Sequence, residues 1–352
     1  MMQILKDSLL VFGIALGLLT GLEAALWAFA PHHPVNTFGP QRAFATPDSL
    51  LNHRLLPNAT QHQRTPEFDL TYQTNGAGLR VHPVEPDAVL KVLVLGDSFT
   101  FGVGARTHET WPAHLQRTLK EKGISVQVIN AGVMGYDTLS QLRFAKELLP
   151  RYEPDIVLLG FLVNDLMTNR ERSEKPVNAT SSPPRWSPAR LHIVPFAKRI
   201  LLNSDWLYTR LYLSTSRADF FRSPPPAHVQ KQLEVTVSLL SDLADEIHRQ
   251  GAQFSIVSIP QQIQLVGSGR ALPDDIDLSF ANQYIANHDS LRSVQWIETT
   301  ETIKQTAERS DQPLYFRLDG HLTALGYRTV GLEVADALAA HLPVARSLLA
   351  KP

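Results

Sequence analysis

Three short, mostly apolar runs, at residues 89–95, 126–130 and 155–161, each give way to a polar loop and then to further structure. Such runs, bounded by glycine or asparagine, have the pattern of strands buried on both faces. Segments with helical spacing at 110–122, where Thr110 suits an N-cap, and at 138–149 fill the gaps between them. The alternation resumes with a helix at 230–249, ended by Gly251, and a strand at 253–259. A further apolar run surrounds Trp296, and a last helix is expected at 323–341. Strands alternating with helices build a mostly parallel sheet covered on both sides, so the expected fold is an α/β, three-layer α/β/α sandwich.

Composition agrees with a folded domain: 43% of the 352 residues are hydrophobic and 19% charged. A net charge of −1 gives no electrostatic case for nucleic acid as a partner. The chain has no cysteine, which excludes disulfides, thiolate chemistry and cysteine ligands. Its 13 histidines show no spacing that implies zinc, so neither metal nor cofactor is expected.

The first thirty residues form a separate unit. Residues 9–22 carry no charge, and apolar character resumes at 24–30 after Glu23. A bilayer core takes about 20 such residues. Lys6 and the amino terminus place positive charge on the leading side, and Trp27 falls where amphipathic aromatics meet the outer interface. Ala28-Phe29-Ala30 also has the small-x-small form of a cleavage site, but Pro31 follows it. Length and that proline favour an anchor over a cleaved signal. The expectation is a cytoplasmic tip at 1–7, a transmembrane segment (or uncleaved signal) at 8–30, and an extracytoplasmic remainder. Glu23 within the span needs interfacial depth or a partner.

Residues 31–67 are rich in Pro, His, Asn and Gln without a clear period and read as a tether. From 68 to 352 the chain reads as one domain: 68–74 alternates like a strand, and Asn75-Gly76 is a turn signal. An insertion at 166–229 interrupts it, with many prolines, a helical piece at 205–213 and the aromatics Trp186, Phe196, Trp206, Phe220 and Phe221. Insertions of this length commonly serve as a lid or binding surface. The aromatics are expected as lid core before substrate platform.

Four loops behind strand-like segments carry usable chemistry. Gly96-Asp97-Ser98 offers a serine, and residues 130–136 offer Asn130, Gly132 and Gly135. Val163-Asn164-Asp165 offers an amide, and Leu318-Asp319-Gly320-His321 an acid and an imidazole. Parallel strands would bring these loops to one sheet edge, where open α/β folds bind ligands. A nucleophile, a base, its orienter and oxyanion donors suit acyl transfer. Taken singly, Ser98 is as readily a helix cap, and His321 one histidine among many. Asp97 reads as a turn residue, as does Gly132; Asp165 is structural or shapes the pocket. Arg80, Glu109 and Arg143 are expected at helix ends or in salt bridges.

The order of these blocks resembles the SGNH hydrolase superfamily, the GDSL-like lipases and acylhydrolases. Gly96-Asp97-Ser98 matches the first block, Asn130 with Gly135 the second, Asn164-Asp165 the third, and Asp319 with His321 the last. Thr74-Asn75-Gly76-Ala77-Gly78-Leu79-Arg80, Gly102-Val103-Gly104, Glu109-Thr110-Trp111-Pro112 and Asn203-Ser204-Asp205-Trp206-Leu207-Tyr208 look like its membrane-anchored bacterial branch. The resemblance implies a flavodoxin-like sheet. It makes Ser98 the nucleophile, His321 the base and Asp319 its orienter, with an oxyanion hole from Ser98, Gly135 and Asn164. It also implies an O-acylated small molecule or carbohydrate as substrate, acetyl esters of the cell envelope among the candidates, met in the periplasm or at the cell surface. An O-acyltransferase with the same triad, and a non-catalytic carbohydrate-binding protein, are the alternatives. Two departures stand out: Leu162 replaces the glycine that usually opens the third block, and one residue rather than two separates Asp319 from His321. The rival Gly-x-Ser-x-Gly motif is absent.

Overall fold

Apolar residues near the amino terminus form one helix, α1 (Met2–Phe29). The computed structural model describes residues 2–29, 44–169, 191–267 and 270–341. Within α1, Lys6–Phe29 is long and apolar enough to cross a membrane, and that stretch is not buried inside the protein.

Two small antiparallel hairpins follow: β1 (Ala45–Asp48) with β2 (Asn52–Leu55), and β3 (Thr60–Arg64) with β4 (Asp69–Gln73). Residues 45–64 were expected to be tether without regular structure, and this is corrected. The strands are polar, and β3 buries Gln61 and Gln63 instead of apolar side chains, so no hydrophobic period marks them. What holds them is a few buried anchors, Phe44, Leu51, Leu55 and Tyr72. Arg54 also forks onto Glu147 of the main domain at 2.8 and 2.6 Å. Residues 31–43 of the expected tether lie outside the described residues, as do 170–190 of the insertion, including Trp186.

The main domain continues with β5 (Leu90–Gly96), α2 (Ser98–Phe101), α3 (Trp111–Glu121), β6 (Val126–Asn130), α4 (Thr138–Tyr152), β7 (Ile156–Phe161) and α5 (Val163–Thr168). The described part of the insertion forms α6 (Ile193–Asn203) and α7 (Asp205–Leu213), and then comes α8 (Ala227–Arg249). The remainder is β8 (Gln253–Ser258), α9 (Gln262–Val266), α10 (Phe280–Ala286), β9 (Gln295–Glu298), α11 (Thr300–Arg309) and α12 (Ala324–His341). Five strands form a wholly parallel sheet in the order β6-β5-β7-β8-β9, the flavodoxin-like order.

Side-chain alternation along the strands divides the core in two. Leu93, Leu95, Val157, Leu159 and Phe161 point to one face, against α4, α8 and α10. Val92, Val94, Ile156 and Leu158 point to the other, against α3, α11 and α12. Truncating one such leucine to alanine costs about 2–5 kcal/mol. Thr110 caps α3 as expected, accepting from Ala113 N at 3.3 Å. Glu109 pairs with Arg106 at 3.2 Å, and Arg143 donates to Leu50 O at 2.7 Å. Arg80 differs from expectation. It is 1% exposed, with its guanidinium 4.8 Å from each of the Tyr72 and Phe101 rings and Nη2 donating to Ala105 O at 3.1 Å. Cation–ring stacking there ties the second hairpin to α2.

Candidate active site

Two glycines let α2 settle onto the strand ends. Gly96 has φ 150°, and a Cβ there would lie 2.1 Å from Thr100 Oγ1. A Cβ at Gly160, on the neighbouring β7, would lie 2.3 Å from the same atom. A larger residue at Gly96 would also meet Thr100 Cβ at 2.7 Å and push the Ser98 turn off the sheet, whereas at Gly160 it would displace the Thr100 hydroxyl. Asp97 caps the turn, its Oδ1 accepting from Phe99 N at 2.9 Å. Asn130 ties in the second loop by donating to Thr100 O at 2.9 Å, and its Oδ1 accepts from Gly132 N at 3.0 Å. Gly132 is thus a turn residue. Gly135 is exposed at φ 79°, a conformation that favours glycine.

Ser98, at the end of β5, is half-buried, and its Oγ lies 2.7 Å from His321 Nε2. On the far side of the ring, Nδ1 bonds the Asp319 carboxylate. The His321 and Asp319 side chains are 11% and 3% exposed, so little water competes for these bonds. Phe99 packs beside the imidazole with ring centroids 4.7 Å apart. Gly320, at φ 87°, reverses the chain tightly enough for side chains one residue apart to meet.

The fourth loop was expected behind a strand, and here the structure differs. Residues 314–316 form only an isolated bridge, Tyr315 to Leu322, and the loop lies between α11 and α12. Lacking a strand to hold it, the loop is held by carboxylates from elsewhere. Glu67, in the turn between β3 and β4, accepts from Leu318 N at 3.0 Å and from Asp319 N at 2.8 Å. Asp205, the first residue of α7, bonds Arg317 and lies 3.6 Å from Arg270. No local pattern singles out Glu67, which falls in the expected tether. Asp205 stands out in the sequence only as part of a family-like string.

Asn164, at the start of α5, donates from Nδ2 to Asp97 Oδ2 at 3.1 Å. Asp97 therefore does more than serve its turn, because it also fixes the plane of that amide. An amide nitrogen carries two hydrogens, so Asn164 keeps a second donor. Leu162, where a glycine is usual, has φ −129°, an extended backbone open to any residue, and its side chain joins the core. Burial pushes the Asp97 carboxyl upward. Burial, reinforced by repulsion from Asp97, pushes Asp165 well above the usual carboxylate range. Close buried carboxyl groups resist double ionisation; Asp97 accepts from Phe99 N and the Asn164 amide, and Asp165 from Leu162 N at 3.5 Å.

The insertion aromatics divide: Phe220 and Phe221 are buried, whereas Phe196 and Trp206 are 43% and 54% exposed.

Residues 94–329 match the model of the GDSL-like Lipase/Acylhydrolase family. An arylesterase of Vibrio mimicus is 39% identical over 75 residues, 21% of this chain and 38% of that protein. Esterase TesA of Pseudomonas aeruginosa is 32% identical over 78 residues, 22% of this chain and 39% of that protein. The chain spans about two fifths of the length of these curated relatives. The solved structure of a TesA covers 72% of this chain and 99% of its own, with 15% identity and a TM-score of 0.44.

Proposed function

The chain belongs to the GDSL-like lipase/acylhydrolase family, and from that premise we propose that it is a serine esterase acting on O-acyl esters. The observation that carries this reading is the hydrogen-bonded series from Ser98 Oγ through His321 to Asp319. Ser98 Oγ attacks the acyl carbonyl while His321 Nε2 takes its proton, and Asp319 holds the ring and steadies the imidazolium. The oxyanion is received by the backbone N–H groups of Ser98 and Gly135 and by the Asn164 amide. Collapse breaks the ester C–O bond, and His321 returns the proton to the departing alcohol. Water then adds to the acyl-enzyme, losing its proton to His321, and the acid leaves as Ser98 regains a hydrogen.

The substrates we propose are short O-acyl groups, acetyl on envelope carbohydrate among them, met outside the cytoplasm by a domain anchored through α1. Lys6 at the leading end of the apolar helix supports that orientation. The test is hydrolysis of p-nitrophenyl acetate by the full chain and by Ser98→Ala and His321→Ala. Each variant is expected to lose on the order of 10⁴-fold or more in kcat. Activity retained in Ser98→Ala would overturn the nucleophile. A p-nitrophenyl series from acetate to octanoate reads the acyl preference, with rates expected to fall as the chain lengthens. A reporter fused after Pro352 that is active in the cytoplasm would overturn the orientation.

A further inference from the structure

Glu23 should be a liability in an apolar helix, yet it has partners. Its carboxylate accepts from the backbone N of His192 at 2.7 Å, from the His192 ring at 2.8 Å, and from Ile193 N at 2.9 Å. Those donors form the amino-terminal end of α6, so the insertion is bolted directly to α1. The apolar stretch Lys6–Phe29 has 24 residues, about 36 Å of helix at 1.5 Å per residue. Glu23 lies six residues before its end, roughly 9 Å. A core about 30 Å thick leaves about 6 Å of the stretch beyond it, so Glu23 stands about 3 Å inside the boundary, where a carboxylate needs the donors that α6 supplies.

Helix α6 itself leaves an apolar side partly open among the described residues. Val194, Phe196, Ile200 and Leu201 are 38%, 43%, 57% and 39% exposed. The steps 194-197-201 and 196-200 are those of one helical face. Trp206, at the start of α7, adds an amphipathic aromatic with Arg210 5.3 Å from its ring. Residues 191–203 include Lys198 and Arg199 and no acidic residue. An apolar face, a basic sequence, a neighbouring exposed tryptophan and a start pinned close to that boundary on a membrane helix describe a helix lying in a lipid surface.

We propose that α6 is an interfacial docking helix. Its Val194–Leu201 side rests in the headgroup–acyl boundary of the bilayer that α1 enters, with anionic lipid as the favoured surface. The docked helix leads through Ser204 into Asp205, which bonds Arg317, two residues before Asp319. Docking therefore orients the domain through an element tied to the Ser98–His321 site. The proposal rests on the anchor part of the reading above and uses none of its chemistry.

Because the chain has no cysteine, Ile200→Cys and Asp289→Cys each give one labelling site. The Asp289 side chain is 81% exposed in the turn before β9, at the end of the sheet where the strands start, away from the Asp319 loop that Asp205 holds, and serves as the aqueous reference. Each full-length variant carries an environment-sensitive fluorophore in nanodiscs of phosphatidylcholine and phosphatidylglycerol. The label at 200 is expected to show blue-shifted emission and quenching by doxyl-labelled lipid, weakened in phosphatidylcholine alone, while the label at 289 shows neither. Adding Val194→Asp and Leu201→Asp, both on the exposed face, is expected to abolish the shift at 200. Equal emission and quenching at the two positions would overturn the docking. Alkaline carbonate extraction reads α1 separately: membrane retention with a water-exposed label at 200 defeats the docking alone, and release defeats the anchor too. Neither result touches the esterase reading, which p-nitrophenyl acetate turnover tests independently.

Discussion

Ser98 and His321 face each other across 2.7 Å, but the protein holds them by opposite means. The Ser98 side is a shelf made by the sheet. Glycines near the ends of β5 and β7 let α2 drop onto them, and Asp97 secures both the turn and the Asn164 amide. The His321 side is a loop without a sheet strand, suspended between Glu67 of the second hairpin and Asp205 of the insertion. Pairing of the adjacent strands β5 and β7 places the first, including the Asp97–Asn164 bond. The second depends on contacts between segments 112 and 252 residues apart. A site can thus join one half that is rigid by construction to another that remote elements position and could adjust.

Mutations that strike one half at a time test this contrast. On the shelf, Asn164→Ala is expected to lower kcat on p-nitrophenyl acetate by on the order of 10²–10³-fold, the usual loss for one oxyanion donor. On the loop, Glu67→Ala frees two backbone N–H groups. It is expected to cost about 10²-fold in kcat, as a displacement near 1 Å does, with KM little changed and Tm nearly so. Glu67→Ala activity equal to wild type would mean that the loop holds itself, and the comparison fails. Arg317→Ala removes the second tether, and a half-exposed pair worth up to about 1 kcal/mol limits its effect to roughly fivefold. The core beneath α3 has its own signature. Burial, with Arg117 adding to it, pushes His114 down to about 4 from 6.5. Its folded value lies below its unfolded one, so stability is expected to be complete above pH 6.5 and to decline as pH falls toward 4. His114→Gln should flatten Tm against pH in that window, and an unchanged slope would remove His114 as the cause.

The shelf is legible in the sequence because its information is local. Apolar runs at 89–95 and 155–161 mark strands buried on both faces, and a polar residue just past such a run has only the sheet edge to occupy. Thr110, which caps α3, and Asn164, at the start of α5, are likewise marked by the elements beside them. Of the hairpins only β4 is legible, within the expected strand at 68–74; strands such as Thr60–Arg64 are held by main-chain bonds and bury glutamines, so they carry no hydrophobic period. Glu67 has no sequence signal of its own, because a carboxylate receiving backbone N–H groups can sit in any turn.

By itself, the sequence determined the parallel sheet, the apolar amino-terminal helix and the identities of Ser98, Asn164, Asp319 and His321 as candidates. Periodicity and block order are properties of neighbouring residues and need no long-range contact to be read. Only the tertiary structure decided that Glu67 and Asp205 hold the Asp319–His321 loop, that Asp97 orients Asn164, and that Glu23 bolts the insertion to α1. Those are long-range pairings of common polar residues, and what selects them is which surfaces the packed core brings within hydrogen-bond reach.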